Sequence, residues 1–525
     1  MDSFRAVLTA NPLSKLLTEP NRTQKASLNA LASSLEYAAQ IAVGFVVTPL
    51  ILAGLGSHLF GLWQILSRLA GYVKAASGQP ASALKWTIAS QQASTDYDDK
   101  RRSVGKAIVV WLLFLPLLAL LGGVLAWYAP ALLRAPAELS WVLRVTGALL
   151  VANLIVTALT GVPRSVLHGE NLGYKRMSFS AALVILGGVL ALVAMHFNTG
   201  LIGLAVGLLV TALLSGAIFL KVARSSLPWF GVIVPPFAEI RGYLRLSGWF
   251  LAWRLVSEVM RSGDIVELGI LTSAEMVTTY TLTRYASQTV VQVTAVLVFS
   301  ALPGLGGIIG TGDLQKAVRV RNEIMSITWV AAVPTVVTIL LWNRTFLGLW
   351  VGAEYYAGSI PTLVVVLMVM QFVLIRNDAN IIDLTLNLRR KVLIGALSTI
   401  ASLVFAAILI GSFDLGIVGL GLGFIAGRSI LSLAYPWLVG RFLGVSLISQ
   451  LKDVLRPGLI TVLLLLVALG LSARLIATTW IGLIVSVGVT IGVVSIFAFY
   501  SGLSGGQRRR ILQRAALVMR TARVS

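Results

Sequence analysis

Ionisable side chains interrupt several long apolar stretches of this sequence, where burial makes them costly. In the stretch 247–270, Arg254, Glu258 and Arg261 follow one another at intervals of four and three residues. A helix would place these three on one face, with Asp264 beside them. Arginine presents a planar fork of donors that matches phosphate oxygens, and a carboxylate near arginines changes its partners when it binds a proton. The spacing therefore indicates a polar path for an anion through an apolar protein.

Polar side chains are aligned in the same way in three other apolar stretches. Helical steps of four align them around Arg284, around Arg68 and after Glu36, and Arg428 stands near the middle of a further stretch. Because basic residues outnumber acids here, we expect a cavity that prefers an anion, in particular a phosphate-bearing one. The residues predicted to bind the anion are Arg68, Arg261, Arg284, Arg428, Lys74 and Arg254. The carboxylates predicted to bind a proton or cation are Glu36, Glu258 and Asp264. The further polar residues predicted to line the cavity are Gln40, Gln64, Tyr72, Tyr280 and Gln288.

A purely structural role stays open for some of these charges. Lys74 and Arg254 lie within two or three helical turns of an expected membrane interface, so their side chains could snorkel to it. Arg254 and Arg261 could also belong to structural ion pairs with the glutamate between them. For Arg261, Arg284 and Arg428 we favour a role in the cavity.

The composition around these residues indicates the class of protein. Hydrophobic residues make up 57% of the chain, charged residues only 12%, and the mean hydropathy is +0.89. Windows of about 20 apolar residues, the length of a membrane span, recur almost from end to end. We predict an all-α polytopic membrane protein with about 14 transmembrane helices. The predicted spans are 30–52, 60–84, 107–130, 140–161, 178–196, 200–220, 247–270, 276–300, 324–347, 358–375, 392–411, 416–440, 458–473 and 480–501.

The net charge of +22 follows a membrane-topology pattern rather than a nucleic-acid-binding one. With a cytoplasmic N-terminus, most of the 42 lysines and arginines fall in inward connectors and in the tail. This split predicts that both termini are cytoplasmic, that the first span serves as the insertion signal, and that nucleic acid is not a partner. The basic tail 502–525 is also a candidate for contact with anionic lipid headgroups. The basic residues assigned to outward segments are Arg134, Arg144, Arg344 and Arg474.

The residue inventory excludes or disfavours several kinds of site. The absence of cysteine excludes disulfides, thiolate metal ligands and cysteine nucleophiles. The three histidines, His58, His168 and His196, are scattered and offer no paired metal-ligand spacing. We therefore expect neither a metal site nor catalytic residues.

Two glycine strings indicate an internal duplication. GLIGLAVG begins at Gly200 and GIVGLGLG at Gly416, with glycine at the same three offsets and six predicted helices between them. An even number of crossings makes the halves parallel repeats, so we predict two parallel six-helix lobes around a central cavity, followed by two extra helices. Pairs that recur at similar offsets are Glu36 with Glu258, Arg68 with Arg284, and Trp127 with Trp350. The predicted boundaries are 1–29 for the cytoplasmic N-terminal segment, 30–221 for the N-lobe, 222–246 for a cytoplasmic linker, 247–441 for the C-lobe, 458–501 for helices 13 and 14, and 502–525 for the tail.

Three motifs, taken in order, resemble those of a known family. They are TPLILAGLGSHLFGLWQI across helices 1 and 2, SAEMVTTYTLTRYASQ running on to FSALPGLG in helix 8, and FLGLWVGAEYYAGS after helix 9. The chain resembles bacterial polysaccharide flippases of the multidrug/oligosaccharidyl-lipid/polysaccharide exporter superfamily, which act in O-antigen and exopolysaccharide synthesis. Family members often carry an acidic residue late in helix 2, whereas this chain has Lys74 to Ser77 there, so a cation-coupling role at that position is not carried over.

The resemblance implies a flippase that moves a polyprenyl-diphosphate-linked oligosaccharide from the cytoplasmic to the outer leaflet of the bacterial inner membrane. Alternating access coupled to H⁺ or Na⁺ would drive the movement, with membrane lipids and polysaccharide polymerase machinery as further partners. Three alternatives stay open. A multidrug exporter of the same superfamily would bind cations, which surplus arginine repels. A membrane glycosyl polymerase or ligase would need acid/base groups in a sizeable outward loop. A scaffold protein would not explain why charged residues occur inside the apolar stretches.

Overall fold

The computed structural model of the protein describes residues 22–75, 80–91, 94–172, 177–310, 312–384 and 388–513. Helices connected by short segments make up this part of the chain, and it contains no strand, so the prediction of an all-α fold is confirmed. The helices are α1 (Arg22–Ala75), α2 (Pro80–Ser90), α3 (Tyr97–Leu132), α4 (Ser140–Gly169), α5 (Met177–His196), α6 (Gly200–Ser226), α7 (Phe237–Leu271), α8 (Ala274–Gly310), α9 (Leu314–Trp350), α10 (Ser359–Leu384), α11 (Leu388–Gly411), α12 (Gly416–Leu443), α13 (Leu447–Ser472) and α14 (Trp480–Phe497).

Within the described residues, 11 helices are long and apolar enough to cross a membrane, namely α1, α3 to α6 and α9 to α14. This supports the prediction of a polytopic membrane protein. Helix α1 consists of two helices joined across a kink at Gly56, whose φ of 76° is a backbone conformation that glycine adopts without strain. The first predicted span lies before this kink, and the second lies after it and continues into α2.

Several helices extend beyond the spans predicted from hydropathy. Helix α9 begins at Leu314 rather than at 324, and α10 continues to Leu384 rather than ending at 375. A hydropathy window stops at the first charges, whereas backbone hydrogen bonds continue through them when the charged side chains find partners. For the same reason the non-helical connector between α6 and α7 covers only residues 227–236 of the predicted linker 222–246.

The chain divides into two compact units, Met1–Leu255 and Val256–Ser525. In the first unit, one apolar core joins α2, α3, α4 and the end of α6, with Leu84, Val104, Val166 and Ala223 at its centre. In the second unit, α13 and α14 pack on α9 and α10 around residues such as Val336. The two helices predicted to follow the repeat are therefore part of the second unit's core.

The repeated glycine string forms the same turn in each unit. Asn198 and Gly200, which lead into α6, have φ values of 53° and 59°, and Asp414 and Gly416, which lead into α12, have 50° and 47°. Asparagine, aspartate and glycine tolerate this left-handed conformation better than other residues. The sequence repeat therefore reflects a repeated helix–turn–helix unit, α5–α6 in one half and α11–α12 in the other.

We expect Gly423→Ala to destabilise the second unit, because α12 packs closely on α11 at this position. An added Cβ would overlap the backbone of Ala406, and one at Gly427 would overlap the backbone of Ser402. Overpacking of this kind costs about 1–3 kcal/mol, which a thermal unfolding experiment in detergent would detect. Gly470→Ala in α13 is the matched control, because no atom lies within 4 Å of its Cβ position. Equal unfolding temperatures for both variants would contradict this account of the packing.

Hydrogen bonds join the connector 227–236 to the start of α3. The backbone N–H of Ile233 donates to the carbonyl of Arg101 at 3.3 Å, and Nε of Arg101 donates to the carbonyl of Trp229 at 2.9 Å. Gly105 makes this approach possible, because a Cβ there would overlap the carbonyl oxygen of Ile233. Nζ of Lys100 lies 5.4 Å from the ring centroid of Trp229, a cation–π contact.

An ion pair of Lys106 with Glu239 adds a pH-dependent contact at the end of this connector, with 2.6 Å between Nζ and Oε2. The hydrogen bond from Lys106 holds the pKa of Glu239 below its usual range. Because the pKa is lowered in the folded chain, the contact stabilises the connector above the ordinary glutamate pKa and is lost as the pH falls through the lowered value. We expect amide-exchange protection of residues 227–239 to fall on acidification, and Glu239→Gln to show the reduced protection already at neutral pH. Protection in the wild type that stays constant with pH would contradict this.

Candidate functional site

A buried polar cluster in the second unit is centred on Asp264, which is fully buried. Arg284 donates from Nη1 to Oδ2 of this carboxylate, forming an ion pair. The hydroxyl of Tyr280 donates to the same oxygen at 2.7 Å, and the backbone N–H of Ile265 donates to Oδ1 at 2.9 Å. Three donors therefore fix the carboxylate in place, and Arg284 contacts the Tyr280 oxygen as well, at 3.2 Å.

The hairpin of α7 and α8 explains why these side chains meet. Asp264 precedes the end of α7 by about two turns, and Tyr280 follows the start of α8 by about two turns. In two antiparallel helices joined by a short turn, residues equally far from the turn lie side by side. Arg284 lies four residues after Tyr280 and so shares its helix face.

Arg428 of α12 supplies the second guanidinium group of the cluster and is buried, with 3% of its surface exposed. Its Nη2 donates to the carbonyl of Met260 in α7 at 2.7 Å. Its guanidinium carbon lies 5.3 Å from the ring centroid of Phe372 and 5.1 Å from that of Phe424, within cation–π distance. Nε of Arg428 and Nε of Arg284 are both buried without a hydrogen-bond partner among the described residues. Two N–H donors in an apolar interior are thus available to an acceptor.

Two guanidinium groups and two carboxylates lie near one another in the cluster. Arg428 interacts electrostatically with Asp264 and Arg284, while the direct ion pair of Asp264 is with Arg284. Glu267, one turn further along α7, is also buried. Its carboxylate lies near that of Asp264 and contacts the backbone of Ala407 in α11. Its Oε2 has no hydrogen-bond partner within the described part of the chain. Glu267 is not among the residues predicted from the sequence, although it lies inside a predicted span three residues after Asp264.

A second charged group lies beside this cluster on α7. Arg261, with 55% of its side chain exposed, forms an ion pair with Glu258, whose other oxygen accepts from the hydroxyl of Ser262 at 3.3 Å. Arg376 of α10 lies within Coulomb range of Arg261. Arg376 is not among the predicted site residues, because the span predicted from hydropathy ends at 375, immediately before this charge.

The other predicted site residues lie elsewhere in the chain. Glu36 of α1 accepts from Arg164 of α4 at 3.1 Å, and Gln40 is exposed. Arg254 lies half-buried on α7 before the boundary between the units, and Gln288 lies half-buried on α8. The structure brings Asp264, Tyr280, Arg284 and Arg428 together, with Glu258 and Arg261 beside them, and the roles of all the predicted residues remain predictions. The half-buried residues after the kink in α1 are Gln64, Arg68, Tyr72 and Lys74.

Several basic residues of the predicted inward connectors form buried ion pairs. Arg321 donates from Nε and Nη2 to the two oxygens of Asp378, at 2.9 and 3.0 Å, and both side chains are buried. Lys391 and Lys100, assigned to inward connectors by their charge, are also buried. Their partners are Asp383, at 2.6 Å from Lys391, and Glu170, at 2.9 Å from Lys100. No group of three acidic or histidine side chains suited to a metal ion occurs among the residues described.

Comparison with solved structures shows what fold these elements form. The lipid II flippase MurJ, in an inward closed conformation, has a TM-score of 0.67 at 13% identity, over 90% of this chain and 99% of that one. An inward-facing multidrug resistance MATE family transporter of the MOP superfamily has a TM-score of 0.60 at 14% identity, over 77% and 94% of the two chains.

A third solved structure is a MOP superfamily transporter from Pyrococcus furiosus, with a TM-score of 0.58 at 12% identity over 80% of this chain and 96% of that one. It is described as having a binding pocket of reversed polarity that suggests a different function. No protein-family model and no curated protein matches the sequence. The fold that the resemblance of the motifs implies is confirmed: the chain has the same fold as these solved MOP superfamily transporters.

Proposed function

We propose that the protein is a flippase that moves a polyprenyl-diphosphate-linked oligosaccharide from the cytoplasmic to the outer leaflet of the bacterial inner membrane. One observation carries the proposal: Arg428 is buried and Arg284 is 15% exposed, and each has a buried Nε–H that no described residue accepts. In an apolar protein, two arginines with spare Nε–H donors form a site suited to a phosphate group.

The chemistry of arginine supports an anionic substrate. The guanidinium group stays protonated, and its donors match the oxygens of a phosphate in pairs. Burial lowers the effective dielectric constant, so an anion is attracted more strongly there than in water. The prenyl tail stays in the lipid, while the diphosphate and the sugars follow the polar residues.

Movement across the membrane requires that the substrate and a coupling ion bias two conformations differently. Glu36, Glu258 and Asp264 are our candidates for binding H⁺ or Na⁺, and Glu267 joins them because it is buried with one unpartnered oxygen. Asp264 is bound to Arg284, so protonation of Asp264 would release a guanidinium to the substrate. Membrane lipids and polysaccharide polymerase machinery remain the proposed partners, both termini are proposed to be cytoplasmic, and no enzymatic step is proposed.

The competing function is export of cationic drugs, which the fold shared with a multidrug resistance transporter favours. The guanidinium groups of Arg284 and Arg428 oppose it, because each repels a cation. A glycosyl polymerase or ligase finds no support in a cluster dominated by guanidinium groups, which are poor acids and bases at neutral pH.

Transport by the reconstituted protein separates these functions. Proteoliposomes receive a fluorescent short-chain prenyl-diphosphate oligosaccharide in one leaflet, and a membrane-impermeant quencher reports its arrival in the other. We expect the full-length protein to move this lipid faster than empty liposomes do, and not to accumulate a cationic dye such as ethidium. Transport of the dye without movement of the lipid would overturn the proposal in favour of the drug exporter.

A further inference from the structure

A group of basic residues outside the candidate site lies where α13 begins and α14 ends, in the second unit. We call it the basic cluster, and its members are Lys452, Arg456, Arg508, Arg509 and Arg510. The stretches 447–456 and 498–513, which contain these residues, hold one acid, Asp453. None of the five basic residues forms an ion pair within the described part of the chain. The basic cluster therefore has an excess of positive charge.

Two contacts bring the α13 residues and the arginines after α14 together. Nε of Arg456 donates to the carbonyl of Ser501 at 2.7 Å. The guanidinium carbon of Arg508 lies 5.6 Å from the ring centroid of Tyr500, a cation–π contact. Because Tyr500 and Ser501 are neighbours in the chain, Arg456 and Arg508 lie at the same end of α14. Lys452 is one turn before Arg456 and shares its face of α13.

The segment after α14 is held in a defined position on the second unit. Gly502 ends a π-helical turn and lies against the ring of Trp329, which an added Cβ would overlap. Residues 505–513 are helical and begin with a capping box. In it the N–H of Ser504 donates to Oε1 of Gln507 at 2.8 Å, and the N–H of Gln507 donates to Oγ of Ser504 at 3.4 Å. The arginines of this helix thus have a fixed place beside α13.

Exposed apolar faces of α13 and α14 lead to the basic cluster. On α13 the face of Arg456 continues with Leu459 and Leu463, and on α14 the face of Tyr500 continues back to Ile496. All three apolar side chains are exposed, on helices long and apolar enough to cross a membrane. Tyrosine is typical of the level where a membrane meets water. Positive charge next to exposed apolar surface matches an anionic lipid, whose charged headgroup adjoins its acyl chains.

We propose that the basic cluster binds the headgroup of an anionic phospholipid, whose acyl chains lie against the exposed faces of α13 and α14. Arg456 and Arg508 contact the phosphate, and the other three residues add attraction to it. A water-soluble anion would leave the apolar faces unused. Anionic lipids belong to the cytoplasmic leaflet, and this end of α14 leads to the C-terminus, which is proposed to be cytoplasmic. The proposal does not depend on the proposed function, because it concerns neither the substrate nor the candidate site.

Quenching by labelled lipids tests the proposal at the site itself. Because the chain has no cysteine, Leu459→Cys gives the full-length protein a single position for a fluorophore. The protein is reconstituted in phosphatidylcholine nanodiscs with a small fraction of doxyl-labelled phosphatidylglycerol or doxyl-labelled phosphatidylcholine. One basic residue near an anionic lipid contributes about fivefold in affinity, so we expect phosphatidylglycerol to quench at least fivefold more strongly. A fluorophore at Ile484→Cys, exposed at the other end of α14, should show no preference.

Variants of the basic cluster identify the residues responsible. Arg456→Gln combined with Arg508→Gln should abolish the preference at Leu459→Cys, whereas Arg456→Lys combined with Arg508→Lys keeps both charges and should retain most of it. Arg474→Gln, an exposed arginine after the other end of α13, should leave it unchanged. Elution at the wild-type volume in size-exclusion chromatography shows that each variant is folded.

Three results would overturn the proposal. They are equal quenching by the two lipids at Leu459→Cys, an equal preference at Ile484→Cys, and a preference that survives loss of both arginines to glutamine. Each of them leaves the proposed function standing, because transport of the lipid-linked oligosaccharide is measured separately.

Discussion

Arg428→Ala is expected to slow translocation of a prenyl-diphosphate oligosaccharide about ten- to hundredfold, because it removes a charge-assisted contact of about 1.5–3 kcal/mol with the phosphate. The side chain is buried, bridges α12 to the backbone of α7, and keeps Nε free for a ligand within the part of the chain described. Its removal leaves no buried carboxylate without a partner, since Asp264 keeps Arg284 and Tyr280. The expected effect is therefore on transport more than on folding.

Two variants make this prediction specific to the arginine. Arg428→Lys keeps the charge but loses the fork of donors, so we expect an intermediate rate. Arg344→Ala removes an exposed arginine of the same unit and should transport at the wild-type rate. If Arg344→Ala loses as much activity as Arg428→Ala at matched protein levels, net charge rather than the site is responsible.

Asp378→Ala is expected to give the largest loss of stability in the chain, about 3–5 kcal/mol, because it leaves the buried Arg321 without its carboxylate. The pair joins α9 to α10 through two parallel hydrogen bonds in the second unit. Unfolding of the purified protein by a denaturing detergent, followed by loss of helical circular dichroism, would measure the change.

Replacing both partners tests whether the loss comes from an unpaired charge. Arg321→Met combined with Asp378→Leu removes both charges and keeps apolar volume, so we expect most of the stability to return. If the double variant is as unstable as Asp378→Ala, a packing defect rather than the lone guanidinium explains the loss. Arg319→Ala, an exposed basic residue two positions before Arg321, should leave unfolding unchanged.

Sequence reasoning recovered the class of fold because hydropathy is a local property. Runs of apolar residues identified the helices that the structure contains, and the glycine strings at Gly200 and Gly416 indicated a duplication that appears as the same turn in both units. The ends of the helices were less accurate. Charges such as Arg376 and Asp378 ended the predicted span, although α10 continues past both.

Side-chain contacts between different helices could not be predicted from the sequence. Helical spacing singled out Asp264, Tyr280 and Arg284, but their contact depends on where α7 ends and α8 begins. Spacing along α7 suggested that Arg254 and Arg261 flank Glu258, and in the structure Arg261 forms the ion pair with it. The burial of connector residues such as Arg321 and Lys391 was not predicted, because a pattern of residue types contains no information about a partner in a distant helix.

Residues in the first unit show the same limit. Glu36 was selected as a carboxylate within an apolar stretch, and its partner Arg164 lies 128 residues away in α4. Arg164 stood outside its predicted span, so no local pattern connected the two. The site that the structure supports best is accordingly the one built by α7, α8 and α12, where buried guanidinium groups converge.

The most direct measurement is translocation of the prenyl-diphosphate oligosaccharide in proteoliposomes by the wild type, Arg284→Ala, Arg428→Ala and the double variant, at equal amounts of folded protein. Residues that act on one ligand have non-additive effects. We expect rapid transport by the wild type, a loss of at least tenfold in each single variant, and little further loss in the double variant. Transport by all three variants at the wild-type rate would contradict a phosphate site built by these arginines.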